Sequence, residues 1–232
     1  MTPQPILLPD GETLLPITLY GVNRDPLVTD WHRRVINHFC WTWNYIEAPF
    51  HLGVSHGYVM NTILRALVQE VNPPTYVMFC DNDNIPMRRE ALDSMVMSVR
   101  NKVTVYGCAW QSSHKVGPNG SVQHAYASQA CLCFPLSLYR ALGCPDCDHF
   151  NPCSDTSEEI TYEAQLRGYQ LSLLYPSHSE EPTVALDNGC QYGHSIVYGP
   201  NLWFHETRAD LPGASERFVA MAKRVIAGEF QC

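Results

Sequence analysis

Along residues 17–143, short compact apolar runs alternate with longer stretches in which apolar positions recur at helical spacing. Ile17-Thr18-Leu19-Tyr20-Gly21-Val22 reads as a first strand. Thr29 or Asp30 is placed to cap a helix carrying Trp31, Val35 and Phe39 on one face. The aromatic-rich segment 40–46 reads as a second strand, ending at Glu47. Met60, Ile63, Leu64, Leu67, Val68 and Val71 follow helical spacing closely, and Pro73-Pro74 stops that helix. Tyr76-Val77-Met78-Phe79-Cys80 then reads as a buried strand. Leu92, Met95, Val96 and Val99 mark another helix, 103–109 another strand, Gly117-Pro118-Asn119-Gly120 a turn, and 130–134 a short apolar run. Pro135 begins a helix that Gly143 ends. This alternation predicts an α/β fold with a mainly parallel sheet.

The second half is less regular. A loop rich in Cys, Asp and Pro covers 144–155, a helix 156–167 stops at Gly168, and 169–175 reads as a strand. Residues 177–201 read as a long irregular connection, of the kind that serves as a lid or binding loop. Phe218, Met221, Ala222 and Val225 share one face of a last helix.

Composition narrows the function classes. A chain of 232 residues with 45% hydrophobic and 16% charged residues fits one globular domain, 1–232. A net charge of −8 argues against a broad nucleic-acid or membrane footprint. Basic clusters such as Arg33-Arg34 and Arg88-Arg89 are short. Residues 1–9 lack the basic and apolar regions of a signal peptide, and no apolar run reaches the ~20 residues of a membrane span. The expected compartment is the cytoplasm of a bacterial or virus-infected cell. There the ten cysteines are expected as reduced thiols, with Cys80, Cys108, Cys131 and Cys133 serving as small hydrophobes in strand-like runs.

The candidate chemistry centres on Asp81-Asn82-Asp83, directly after the buried strand. In open α/β sheets ligands bind at strand ends. Two neighbouring carboxylates do not readily both stay ionised unless a cation joins them. Hard oxygen ligands suit Mg²⁺ or Mn²⁺, ions that also hold substrate phosphates. A plain acidic turn is the alternative. His205, in Trp203-Phe204-His205-Glu206, is a candidate imidazole ligand, with His194 as second choice. Thr156-x-x-Glu159 reads as a capping box, which gives Glu159 a structural role and leaves Asp155 and Glu158 as candidate general bases. Cys144, Cys147 and Cys153 have zinc-ligand chemistry at compressed spacing; free thiols or a local disulfide are the alternatives.

In this order the elements resemble glycosyltransferases of the GT-A fold, a Rossmann-like mixed sheet flanked by helices. Asp81-Asn82-Asp83 is similar to their Asp-x-Asp motif, and 51–83 to the stretch in which an Asn-bearing helix, here with Asn61, leads into it. Residues 156–169 resemble the acidic helix after the acceptor loop, and His205 matches a C-terminal metal-site histidine. The resemblance covers Ile17 to about Arg208 and departs where the helix opens Asp155-Thr156-Ser157-Glu158-Glu159 instead of carrying Glu-Asp. It implies a donor-nucleotide half over about 17–110 and an acceptor half with a C-terminal metal and lid segment over about 111–232. It implies that Asp83 binds the metal directly, while Asp81 contacts ribose or a metal-bound water. It places Tyr20, Asn23, Glu47 and Asn61 around the nucleotide base and ribose.

The expected function is therefore Mn²⁺- or Mg²⁺-dependent hexosyl or pentosyl transfer from a nucleotide-diphosphate sugar, UDP-linked first of all. The acceptor is open among glycan, protein, small molecule and modified nucleic acid, including phage-type modified DNA. The alternatives are a nucleotidyltransferase acting on a sugar phosphate and a non-catalytic zinc-stabilised module.

Overall fold

The computed structural model describes residues 3–21, 25–101, 104–112, 114, 124–148, 154–185, 191–207 and 211–231. In chain order the elements are β1 (Ile6–Leu7), β2 (Thr13–Gly21), α1 (Pro26–His38), β3 (Asn44–Ala48), α2 (His56–Leu67), β4 (Tyr76–Asp81), β5 (Asn84–Pro86) and α3 (Glu90–Asn101). They continue with β6 (Thr104–Gln111), β7 (Ala125–Pro135), α4 (Leu136–Ala141), α5 (Glu158–Leu166), β8 (Gln170–Leu174), β9 (Pro176–Ala185), β10 (Gln191–Tyr198), β11 (Trp203–His205) and α6 (Ala214–Ile226).

The central sheet runs β1-β2-β4-β7-β6-β8, with β3 beside β2. Strands β2, β3, β4, β6 and β8 share one direction; β1 and β7 run against it. The fold is thus mixed α/β with a mainly parallel sheet. Its apolar runs are continuous because both faces are covered. Leu15, Ile17, Leu19, Val77 and Phe79 pack towards Met60 and Leu64 of α2 and Ile160 of α5. Leu14, Met78, Cys80, Tyr106 and Cys131 pack on the other face with α3 and the second sheet.

That second sheet, ordered β5-β11-β10-β9, replaces the irregular connection expected over 177–201. The segment's polar, Pro- and Gly-containing sequence hides two strands whose ladder shifts register repeatedly. Strand β7 is likewise longer than the expected 130–134 run. In its first half β6 approaches Ala127 closely: a Cβ on Gly107 would lie 2.6 Å from that of Ala127. Helix α1 starts earlier than Thr29, at Pro26, capped by the Asp25 carboxylate, which accepts from Leu27 N–H at 2.9 Å. Cys80, Cys108, Cys131 and Cys133 are buried free thiols, as expected. The expected turn at 117–120 lies outside the described residues. Among the described residues, no helix is long and apolar enough to cross a membrane.

Candidate functional site

Strand β4 ends at Asp81, and the next two residues turn the chain out of the central sheet into β5 of the small one. Asn82 fixes that turn: its amide donates to the buried Thr29 hydroxyl on α1 at 2.8 Å. Strand β5 pairs antiparallel with β11, setting Asn84 opposite His205 and Ile85 opposite Phe204. Asp83 O accepts from Glu206 N–H at 3.0 Å, which continues this pairing to the tip. Register alone therefore carries His205 to the aspartates. His205 Nε2 lies 3.4 Å from Asp83 Oδ1. Ligand atoms of Asp81, Asp83 and His205 all fall within 4.8 Å of one another, a group able to hold a metal ion.

The electrostatics suit a cation. Burial opposes a charge on His205, but the hydrogen bond to Asp83 and the charges of Asp83, Asp81 and Glu206 outweigh it and raise its pKa. Two carboxylates and one imidazole form a donor set that suits Mn²⁺ better than Mg²⁺, which prefers an octahedron of oxygens. Beside Asp81, His56 Nε2 stands 3.9 Å from Oδ1, its ring stacked on Phe50 at 4.0 Å. His56 was not foreseen, although Ser55 ahead of it is an N-cap residue type that marks the start of α2. Trp110, at the end of β6, tilts against His205 with ring centroids 6.3 Å apart.

Tyr20 and Glu47 are register partners at the ends of β2 and β3. Both line a cavity of about 230 Å³ with Thr29, Asp30 and Arg33. A narrower cleft of about 40 Å³ links Tyr20 and Gly21 to Asp81 and Asp83. Arg33 lies over the Tyr45 ring at 4.5 Å and the Tyr20 ring at 5.8 Å, a cation–π arrangement that sequence reasoning missed. Asn23 lies outside the described residues. A wider cavity of about 450 Å³, lined by Leu7, Trp41, Met97 and Arg100, opens at the opposite end of β2, away from the Asp–His cluster.

Asn61 is engaged elsewhere than expected. Its amide donates to Asp146, and its oxygen accepts from Cys147 N–H at 2.9 Å, so it clamps the 144–148 loop onto α2. Ser55 adds to that clamp by donating to Asp148 at 2.7 Å. Gly57 permits the contact, since a Cβ there would meet Cys147 O at 2.0 Å. Cys144 is exposed and Cys147 buried; neither joins a metal-binding group among the described residues, and Cys153 lies outside them.

The helix start falls one residue later than the expected capping box at Thr156 and Glu159. Ser157 is the N-cap, in a left-handed conformation, and its hydroxyl donates to Ala127 O at 3.1 Å instead of capping the helix. The tertiary bond to β7 thus displaces the local one. Glu158 is fully buried and accepts from Asp155 N–H at 2.8 Å. The Asp155 carboxylate is partly exposed, 3.2 Å from His114 Nε2. Of the two candidate bases, Asp155 alone presents its carboxylate to solvent. His194 pairs with Glu180 at 3.5 Å, outside the aspartate cluster.

No protein-family model matches the chain, and no curated protein matches it in sequence. Among solved structures it is similar to a putative glucose-1-phosphate thymidylyltransferase from Bacillus anthracis (9% identity, 89% of this chain and 75% of that one, TM-score 0.45). It is similar to a 4-diphosphocytidyl-2C-methyl-D-erythritol synthase from Anaerococcus prevotii (9% identity, 72% and 88%, TM-score 0.43). It is also similar to a glycosyltransferase involved in glycosylating the major capsid of PBCV-1 (11% identity, 89% and 98%, TM-score 0.41). These are loose likenesses, and what this chain does is read from its own residues.

Proposed function

We propose that the protein is a divalent-cation-dependent glycosyltransferase that uses a nucleotide-diphosphate sugar. The observation that carries this reading is the meeting of Asp81, Asp83 and His205 at the exit of a parallel strand, one cleft away from the Tyr20–Glu47 cavity. A cavity floored by a tyrosine, with a carboxylate and a guanidinium on its walls, suits a nucleobase and ribose. Asp81, Asp83 and His205 would hold Mn²⁺ in preference to Mg²⁺. The ion, when bound, neutralises charge on the departing nucleoside diphosphate.

The chain's own residues supply the rest. Tyr20 and Glu47 orient the nucleoside, with uridine the first donor to test. If the transfer inverts configuration, Asp155 takes the acceptor hydroxyl proton as the new glycosidic bond forms, and the electron pair of the broken bond leaves on the diphosphate. Glu158, buried and bonded to Asp155 N–H, holds the start of α5.

The test is release of nucleoside diphosphate from a panel of nucleotide sugars with and without Mn²⁺, in wild type and Asp83→Ala. Mn²⁺-dependent release that the substitution abolishes supports the proposal. Pyrophosphate released from a nucleoside triphosphate and a sugar phosphate would assign nucleotidyl transfer to the same cluster instead.

A further inference from the structure

A metal-bound histidine is commonly oriented by a hydrogen bond from its second ring nitrogen to a carboxylate or carbonyl. His205 has no such bond: with Nε2 turned to Asp83, its buried Nδ1 has no hydrogen-bond partner among the described residues. The ring must be aimed by the chain that carries it.

That chain is anchored one residue further on. Glu206 is 1% exposed, and its backbone N–H donates to Asp83 O at 3.0 Å. Its carboxylate accepts from Arg217 Nε at 3.1 Å and Nη2 at 3.0 Å, a two-pronged bond reaching over from α6. It also accepts from the Ser195 hydroxyl on β10 at 2.7 Å, where Ser195 takes a left-handed φ of +49°. Arg217 itself is held by donating through Nη1 to Pro212 O at 3.2 Å. A buried carboxylate with these partners has one position; without the guanidinium it loses the two-pronged bond that fixes it. Because Glu206 is bonded through its backbone to Asp83 and follows His205, moving it disturbs two of the three proposed ligands together.

We infer that Arg217 and Glu206 are positioning residues for the metal site, a strut by which the C-terminal helix holds His205 and Asp83 in ligating register. The inference rests on reading the Asp81–Asp83–His205 group as a metal site. It assigns the strut no contact with the ion.

The whole chain is used as wild type, Arg217→Ala, Arg217→Lys, Glu206→Gln and Val225→Ala. Each is titrated with Mn²⁺ alone, following the free-ion electron paramagnetic resonance signal at a temperature where circular dichroism shows it folded. Val225 is buried on α6 outside this network, so its truncation loosens the helix without cutting the strut. Arg217→Ala and Glu206→Gln are expected to weaken Mn²⁺ binding about 10- to 100-fold, the loss usual for outer partners of a metal site. Arg217→Lys keeps the charge but not the fork and should recover part of that loss. Val225→Ala should lower Tm and leave Mn²⁺ affinity unchanged.

Wild-type affinity in Arg217→Ala, or an equal loss in Val225→Ala, overturns the inference and leaves the metal reading standing. If Arg217→Ala does not fold, wild-type affinity in Glu206→Gln overturns it just as well. A wild-type protein that takes up no Mn²⁺ overturns the metal reading and the strut together.

Discussion

The central sheet and the small sheet contribute to one candidate site in unequal ways. Asp81 ends a strand held on both sides by β2 and β4's other neighbour β7, with Val77 and Met78 behind it wholly buried. His205 ends a strand of only three residues, set between β5, also of three, and the bulged strand β10. The small sheet is fastened by the Trp203–Tyr106 hydrogen bond at 3.2 Å, by Phe204 against Phe218, and by the Arg217–Glu206 pair. Asp81 is thus fixed by the main core, whereas His205, with Asp83 bonded to its strand through Glu206 N–H, depends on a few separable contacts of the small sheet. Cutting one of those contacts should therefore act through His205.

The largest effect is expected where a proposed metal ligand is removed directly. Asp83→Ala should lower Mn²⁺-dependent turnover on the order of 1,000-fold, read as nucleoside diphosphate released per minute. A matched pair then separates the two sheets. Phe79 and Phe204 are both 2% exposed, one in each sheet, and truncation of either to alanine should cost about 3–5 kcal/mol in denaturant unfolding. Only Phe204→Ala should also weaken Mn²⁺ binding while the protein is still folded; an equal loss in Phe79→Ala would erase the asymmetry.

On the acceptor side, Asp155→Asn should slow an inverting transfer by about 100-fold or more with the melting temperature nearly unchanged. Glu158→Gln should show the reverse, a lower melting temperature, because its carboxylate is buried at the start of α5. Similar rate losses in both would remove the distinction drawn between them.

These tests fall where the sequence was least informative. The central sheet was legible because strands covered on both faces carry unbroken apolar runs, as in 76–80, and because α2 keeps strict helical spacing. Asp81, Asp83 and His205 were legible as residue types, but nothing in 177–201 announces the strands β9 and β10 that complete the sheet holding His205. Those strands face mixed environments, and their bulged ladder breaks the alternation that periodicity detects. The resemblance places Asn61 at the nucleotide; its bonds to Asp146 and Cys147 are not legible in the sequence because those partners lie 85 and 86 residues away. Arg33, His56 and Arg217 gain meaning only when the fold places them against Tyr20, Asp81 and Glu206.

Smaller effects sharpen the picture further. Asn61→Ala should cost about 1–3 kcal/mol by leaving Cys147 N–H without its partner and taking one of two donors from the Asp146 carboxylate, which keeps Asp148 N–H. It should leave nucleotide affinity unchanged; a marked loss in a nucleotide titration would restore the expected binding role. Beneath the site, His32 is fully buried, its Nδ1 2.7 Å from the Tyr45 hydroxyl. Burial, opposed by Asp83, lowers its pKa from 6.5 to about 3. Between those values the unfolded chain binds a proton that the folded protein refuses, so stability is present above pH 6.5 and is lost as the pH falls towards 3. The slope from this one group is up to about 1.4 kcal/mol per pH unit, and His32→Gln should flatten it in urea unfolding series between pH 4 and 7. An unchanged slope would place the acid sensitivity elsewhere.

A cation held by Asp81, Asp83 and His205 is proposed to join the protein to a nucleoside diphosphate. Thermal unfolding of wild type and Asp83→Ala with Mn²⁺, with a nucleoside diphosphate such as UDP, and with both tests it most directly. At about 100 times its Kd, a ligand that binds only the folded state adds about 2.7 kcal/mol of stability. Mn²⁺ and a nucleoside diphosphate together are expected to raise the wild-type melting temperature by more than the sum of their separate shifts, and Asp83→Ala to lose the excess. Additive shifts in wild type, no shift with any nucleoside diphosphate, or an excess that survives in Asp83→Ala would contradict it.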